Sequence, residues 1–160
     1  MPPSFQRPMN PGEEAAVERL LQRAFKGSSE AQLVRKLRKS RQIAGEMVVP
    51  GEGGIVGYYA LSKLVEPMGW LALAPVAIDP EWQGRGIGKR MVGMAAEWAR
   101  LSRTIIVVLG DVPFYEKAGF KAERAAKLIS AYPVDHLLLA GPGGDAPEKA
   151  LVYPSSFDEI

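Results

Sequence analysis

The chain has no cysteine, which excludes a disulfide, a thiolate metal site and a cysteine acyl intermediate. Histidine is nearly absent too. The one residue, His136, sits beside Asp135 in an apolar run, too little for a typical zinc site or a catalytic triad. Charge of one sign is not in excess: 20 Lys and Arg face 18 Asp and Glu, and the net +2 does not require a nucleic-acid partner. The dense basic stretch from Arg35 to Arg41 is mixed with Leu33, Val34 and Leu37, and reads as the solvated face of a helix. No apolar run approaches the roughly 20 residues needed to span a bilayer. The opening Met1 to Arg7 lacks the apolar core of a signal peptide, so the expected location is cytoplasmic, with no membrane partner. Any transfer chemistry would then have to be direct.

What is present is ordinary globular material. With 160 residues, 47% of them hydrophobic and 24% charged, the chain is expected to form one domain over residues 1–160 around one core. Asn10-Pro11-Gly12-Glu13 predicts a helix start, with Asn10 as N-cap and Glu13 closing a capping box; Val17, Leu20, Leu21, Ala24 and Phe25 follow at helical spacing. A second helix is expected from Ser28 or Ser29, burying Leu33, Val34 and Leu37. Two strands, about 43–49 and 55–63, flank the turn-rich Pro50-Gly51-Glu52-Gly53-Gly54 and read as a hairpin. A third strand, about 69–78, contains Pro75, which has no N–H to give a neighbour; a gap, an edge position or a bulge would each accommodate it. A helix over about 86–101 is expected to bury Ile87, Met91, Met94, Ala95 and Trp98. Thr104 to Leu109 reads as a central strand, and the runs 134–140 and 150–153 as a terminal hairpin.

The most informative stretch links two of these elements. Val76-Ala77-Ile78-Asp79-Pro80 closes the third strand, and Gln83-Gly84-Arg85-Gly86-Ile87-Gly88-Lys89 turns into the following helix. Glycines let the backbone turn its amides inward, and the helix start adds unpaired donors and a positive dipole end, which together make an anion cradle. Spacing separates the kinds of phosphate loop. G-x-x-x-x-G-K-[ST] fails because Gln83 stands at its first glycine and Arg90 at its hydroxyl. G-x-G-x-x-G fails because Lys89 or Met91 stands at its last glycine. Q-x-x-G-x-G matches across Gln83 to Gly88, and a Y-x-x-x-G-F element follows one helix and one strand later, from Tyr115 to Phe120.

These two motifs, in this order, resemble those of the GCN5-related N-acetyltransferases (GNAT). The closing Leu151 to Phe157 and the Leu109-Gly110-Asp111 step look like a bacterial subgroup of predicted N-acetyltransferases. The resemblance implies an α/β fold: a mixed, mostly antiparallel central sheet, splayed between two parallel central strands and flanked by helices. It implies acetyl-CoA as co-substrate and no metal. The amides of Gln83, Gly84, Arg85, Gly86, Ile87 and Gly88 would hold the diphosphate, with Arg85 and Lys89 adding positive charge. The edge of Val76, Ala77 and Ile78 would offer backbone groups to the pantetheine arm. Tyr115 would protonate the departing thiolate, a phenol of ordinary pKa near about 10 being a competent donor at neutral pH.

The acceptor amine must lose a proton, and Glu46, Glu30, Asp111 and Ser62 are the candidates for a direct or relayed role. The expected reaction is N-acetylation of a primary amine, on a small molecule or a peptide, by direct attack in a ternary complex. A catalytically silent acyl-CoA-binding sensor or interaction module is the alternative. Dimerisation through an exposed strand edge stays open. A first strand ahead of the first helix, usual in the family, is interrupted here by Pro2, Pro3 and Pro8.

Overall fold

A computed structural model describes residues 5–159. Its strands form one sheet, ordered β1 (Arg7–Pro8), β2 (Ile43–Gly51), β3 (Gly54–Lys63), β4 (Leu71–Ile78), β5 (Ile106–Leu109) and β6 (Leu137–Ala140). Neighbours run antiparallel except β4 and β5, which are parallel. Helices α1 (Glu14–Phe25) and α2 (Ser29–Lys39) cover one face, and α3 (Ile87–Ser102) and α4 (Val112–Ala118) the other. The expected mixed, mostly antiparallel α/β sheet is therefore present.

The two faces follow from strand alternation. Val48, Tyr58 and Ala60 point to α1 and α2, where they meet Val17, Leu20, Leu21, Ala31 and Val34. Val49, Tyr59 and Leu61 point the other way, into a core shared with α3 and Phe120. Each fully buried Leu contributes about 1.5–3 kcal/mol by leaving water.

Four local expectations change in the structure. The first helix begins at Glu14 rather than just after Asn10, because Gly12 takes φ +96° and breaks the helical path. Half of the capping box survives: the Asn10 N–H donates to Glu13 Oε1 at 2.6 Å. Arg7 holds the same carboxylate with two bonds of 2.8 Å, which ties the short β1 to the helix start. This two-residue strand is the first strand that the prolines obscured in the sequence.

The buried face of α3 is rotated from the expected one. It buries Met91, Val92, Ala95, Ala96 and Ala99, while Met94 and Trp98 stay 41% and 45% exposed. The sheet beneath already carries Val49, Leu61, Leu71, Leu73, Ile106 and Val108, so small alanines let the helix come close where large side chains would not fit.

The terminal hairpin does not form. β6 pairs with β5, while Ala150 bridges Ile129 and Val152 bridges Glu66. Arg124, only 5% exposed, gathers the intervening loop instead. Its guanidinium donates to the carbonyls of Gly141, Pro142 and Asp145 at 3.2, 2.9 and 3.0 Å.

The splay lies where Pro75 marked it. β4 pairs with β5 only at Leu71↔Ile106 and Ala72↔Val107, yet it continues along β3 as far as Ile78↔Gly57. On the β3 side the register jumps from Leu61↔Leu73 to Tyr59↔Val76, so Ala60 faces both Ala74 and Pro75 in a bulge. β4 is an interior strand, which removes the edge explanation and leaves bulge and gap together.

Candidate functional site

Two helix starts converge beside the open edge of β4. The first belongs to α3. Gly84 and Gly86 take φ +78° and +82°, a left-handed backbone that side chains rarely adopt. Gln83 Nε2 donates to the Ile78 carbonyl at 3.1 Å and folds the loop back on the strand end. Asp79 braces the same turn, accepting from the Glu81 N–H at 3.0 Å and from Arg23 at 2.7 Å. The first helical bond runs from Arg90 N–H to Gly86 O at 3.1 Å, which leaves the amides of Ile87, Gly88 and Lys89 without an intrahelical acceptor.

Gly88 differs from the other two glycines of the loop. Its φ is not positive, and an added Cβ would meet only Ile78 Cγ1 and Phe114 Cζ at 3.5 Å, an ordinary contact. The protein's own packing does not demand glycine there, although glycine in a helix costs roughly 0.5–1 kcal/mol relative to alanine. Arg85 lies over Trp82 at 4.7 Å, and the Lys89 side chain faces solvent at the helix start. Arg90 stacks on Phe5 at 4.1 Å.

The second helix start belongs to α4, which carries Tyr115. Asp111 precedes it and Pro113 sits in its first turn. The Y-x-x-x-G-F spacing is that of a closed helix end: Gly119, at φ +109°, donates to Glu116 O at 3.2 Å, and the Phe120 N–H donates to Tyr115 O at 3.0 Å. The Tyr115 ring meets Phe114 and Phe120 edge to face at 4.9 and 5.7 Å. Its other side lies against Gly110, where a Cβ would fall 2.7 Å from Cε2. Tyr115 is 8% exposed, and burial, helped by the Asp111 charge, pushes its hydroxyl up to about 12. A Cβ on Gly88 would meet both Phe114 and Ile78, so the Gly88 turn and Tyr115 share one locality.

Val76, Ala77 and Ile78 pair with Tyr59, Tyr58 and Gly57; on the β5 side no strand reaches them among the described residues, and the Ile78 carbonyl is taken by Gln83. The candidates for proton acceptance do not gather here. Glu46 is held on the α2 side by Arg38 Nη2 at 2.8 Å and by the Tyr58 hydroxyl, which donates at 2.6 Å. Glu30 lies in the first turn of α2, and Ser62 is fully buried with no partner for its Oγ among the described residues. Only Asp111 stands near Tyr115.

Other recesses flank the site. A cleft of about 670 Å³ lies on the α1 side, where Arg19 and Arg23 face Glu52, Asp79 and Glu81; it mixes charges and is separate from Tyr115. A smaller cavity at the splay is lined by Tyr132, Tyr153 and Phe157, residues for which the sequence reading assigned no role. A cluster of aromatic residues late in the chain was the available signal. No group of three or more His, Cys, Asp or Glu among the described residues is arranged for a metal ion.

Comparison with known proteins agrees with this geometry. The sequence model described as an acetyltransferase (GNAT) domain matches residues 43–122. The uncharacterized N-acetyltransferase YhbS of Escherichia coli is 29% identical over 128 residues, 77% of each chain. Its structure in complex with CoA superposes with a TM-score of 0.81 over 100% of this chain and 96% of that one, at 22% identity. The uncharacterized N-acetyltransferase YjhQ of E. coli is 33% identical over 122 residues, 70% of this chain and 67% of its own. A GNAT family acetyltransferase from Brucella melitensis, in complex with acetyl-CoA, is 25% identical with a TM-score of 0.79, covering 96% of this chain and 97% of that one.

Proposed function

As the chain belongs to the GNAT acetyltransferase family, we propose that it transfers the acetyl group of acetyl-CoA to a primary amine by direct attack in a ternary complex. The observation that carries this reading is the glycine at 88, which the protein's packing does not require, beside amides that have no helical acceptor. Backbone of that kind at a helix start suits a diphosphate, with Gln83 through Gly88 as the cradle and Arg85 and Lys89 supplying charge. The side of Val76, Ala77 and Ile78 that has no strand partner suits the amides of the pantetheine arm, which would add to β4 like a short strand.

In the transfer, the neutral amine nitrogen attacks the thioester carbonyl and forms the N–C bond. The C–S bond breaks, the CoA thiolate takes the proton of the Tyr115 hydroxyl, and the nitrogen releases a proton to water. Tyr115 then recovers its proton from solvent. Its hydroxyl stays protonated up to about pH 12, so it is loaded as a donor at every working pH. The expected setting is cytoplasmic.

The experiment is a thermal shift with acetyl-CoA, ATP and NAD at equal concentration. A ligand at about 100 times its Kd adds roughly 2.7 kcal/mol of stability. A rise with acetyl-CoA alone supports the cradle. An equal rise with all three, or none, overturns it.

A further inference from the structure

The splay opens on both faces of the sheet, and the face away from α3 holds a small cavity. Beyond Ala72, β4 leaves β5, and the gap is bounded by Leu73 and Ala74 on one side and Leu109 on the other. Three rings close it from the end of the chain: Tyr132, Tyr153 and Phe157. Tyr132 meets Tyr153 edge to face at 4.9 Å, and Tyr153 meets Phe157 at 5.4 Å, so the wall is a packed unit. Phe157 is anchored on Leu33 and Leu37 of α2. The cavity measures about 140 Å³. That is several times the roughly 30 Å³ of one water, and less than the roughly 300 Å³ at the low end of ordinary ligand pockets.

We infer that this cavity is the acceptor subsite, and that it takes a primary amine carried on one compact apolar body, such as an arylalkylamine, rather than a polycation or a sugar. The inference rests on the acetyl-transfer reading above. Its own support is the lining. Rings and aliphatic side chains stabilise an apolar body by excluding water, and the ring faces attract a single ammonium before it gives up its proton. Among the lining residues only Tyr132 and Tyr153 carry a polar side-chain group, so a second charge or a row of hydroxyls would be buried there with too few partners, at a cost of several kcal/mol by general transfer data. Strand pairing between β4 and β5 ends at Ala72↔Val107, and the gap just beyond it is where the amine nitrogen would meet the acyl group. All three rings lie in the segment that follows the span 43–122 matched by the family's sequence model.

The test measures CoA thiol release from acetyl-CoA and from butyryl-CoA by the 160-residue chain with 2-phenylethylamine, n-butylamine, spermidine and kanamycin, and repeats it with Tyr132→Phe and Tyr132→Ala. Tyr132 is half-buried, so both variants are expected to fold. The expected kcat/KM for phenylethylamine exceeds that for spermidine or kanamycin by at least roughly tenfold, the scale on which a pocket tells bodies apart. Tyr132→Ala raises the amine KM and leaves the acetyl-CoA KM alone, while Tyr132→Phe keeps both. Faster turnover of spermidine or kanamycin overturns the acceptor class and leaves acetyl transfer standing. Equal use of butyryl-CoA and acetyl-CoA, with indifference to amine size, would show that the cavity holds acyl chains instead. Acetyl-CoA binding without thiol release on any amine overturns this inference together with the transfer reading.

Discussion

At the scale of single residues, three positions carry distinguishable consequences. Gly88 stands where alanine would touch Ile78 and Phe114 only at ordinary contact distance. Gly88→Ala is therefore expected to leave thermal stability unchanged or slightly raised, while acetyl-CoA affinity measured by calorimetry falls by roughly tenfold or more, the size of a modest steric intrusion. Tyr115 makes the opposite separation. Tyr115→Phe keeps the rings packed, so acetyl-CoA should bind as before while kcat drops by about 100-fold or more.

The pH profile follows from the same hydroxyl. Burial raises its pKa to about 12, so the donor stays protonated as pH rises from 7 to 10, and the rate should climb with amine deprotonation and show no falling limb in that range. A fall setting in near pH 8 would point to a different acid. Glu46 is a structural residue by its contacts. Glu46→Ala leaves the Arg38 guanidinium and the buried Tyr58 hydroxyl unpaired, with an expected loss of about 2–4 kcal/mol in urea unfolding.

At the scale of elements, α3 shows why some of the fold was readable and some was not. Its start was legible, because Gly84 and Gly86 meet a backbone demand that few other residues can meet. The Tyr115 to Phe120 spacing was legible for the same reason, since Gly119 closes α4 in a left-handed turn. The buried face of α3 was not. Periodicity weighs large apolar side chains, and only the crowded sheet below shows that Ala95, Ala96 and Ala99 are the residues that fit. This gives a paired expectation. Ala95→Leu should cost about 1–3 kcal/mol by overpacking, whereas Trp98→Lys should change stability by less than about 0.5 kcal/mol. Equal losses from the two would mean the helix sits as the sequence periodicity suggested.

At the scale of the molecule, the sheet works by failing to close. Pro75 withholds a donor, β4 bulges against β3, and pairing with β5 ends after Ala72. The same gap then leaves the end of β4 without a strand partner beside α3 and α4, and opens an apolar cavity toward α2. A proline inside a strand pattern hinted at the gap. The partners lining its far side come from the last turns of the chain, and no local pattern links Ala74 to Phe157. The short β1 and the loop around Arg124 were hidden for the same reason, since each is held by contacts between residues distant in sequence.

The central claim is that this gap, its glycine loop and Tyr115 form one acetyl-transfer site. The most direct measurement is release of free CoA from acetyl-CoA with and without a primary amine, for the wild-type chain and for Tyr115→Phe. The account predicts amine-dependent release by the wild type and a loss of about 100-fold or more in the variant with acetyl-CoA binding intact. Amine-independent behaviour in the wild type, or full turnover by Tyr115→Phe, would contradict it.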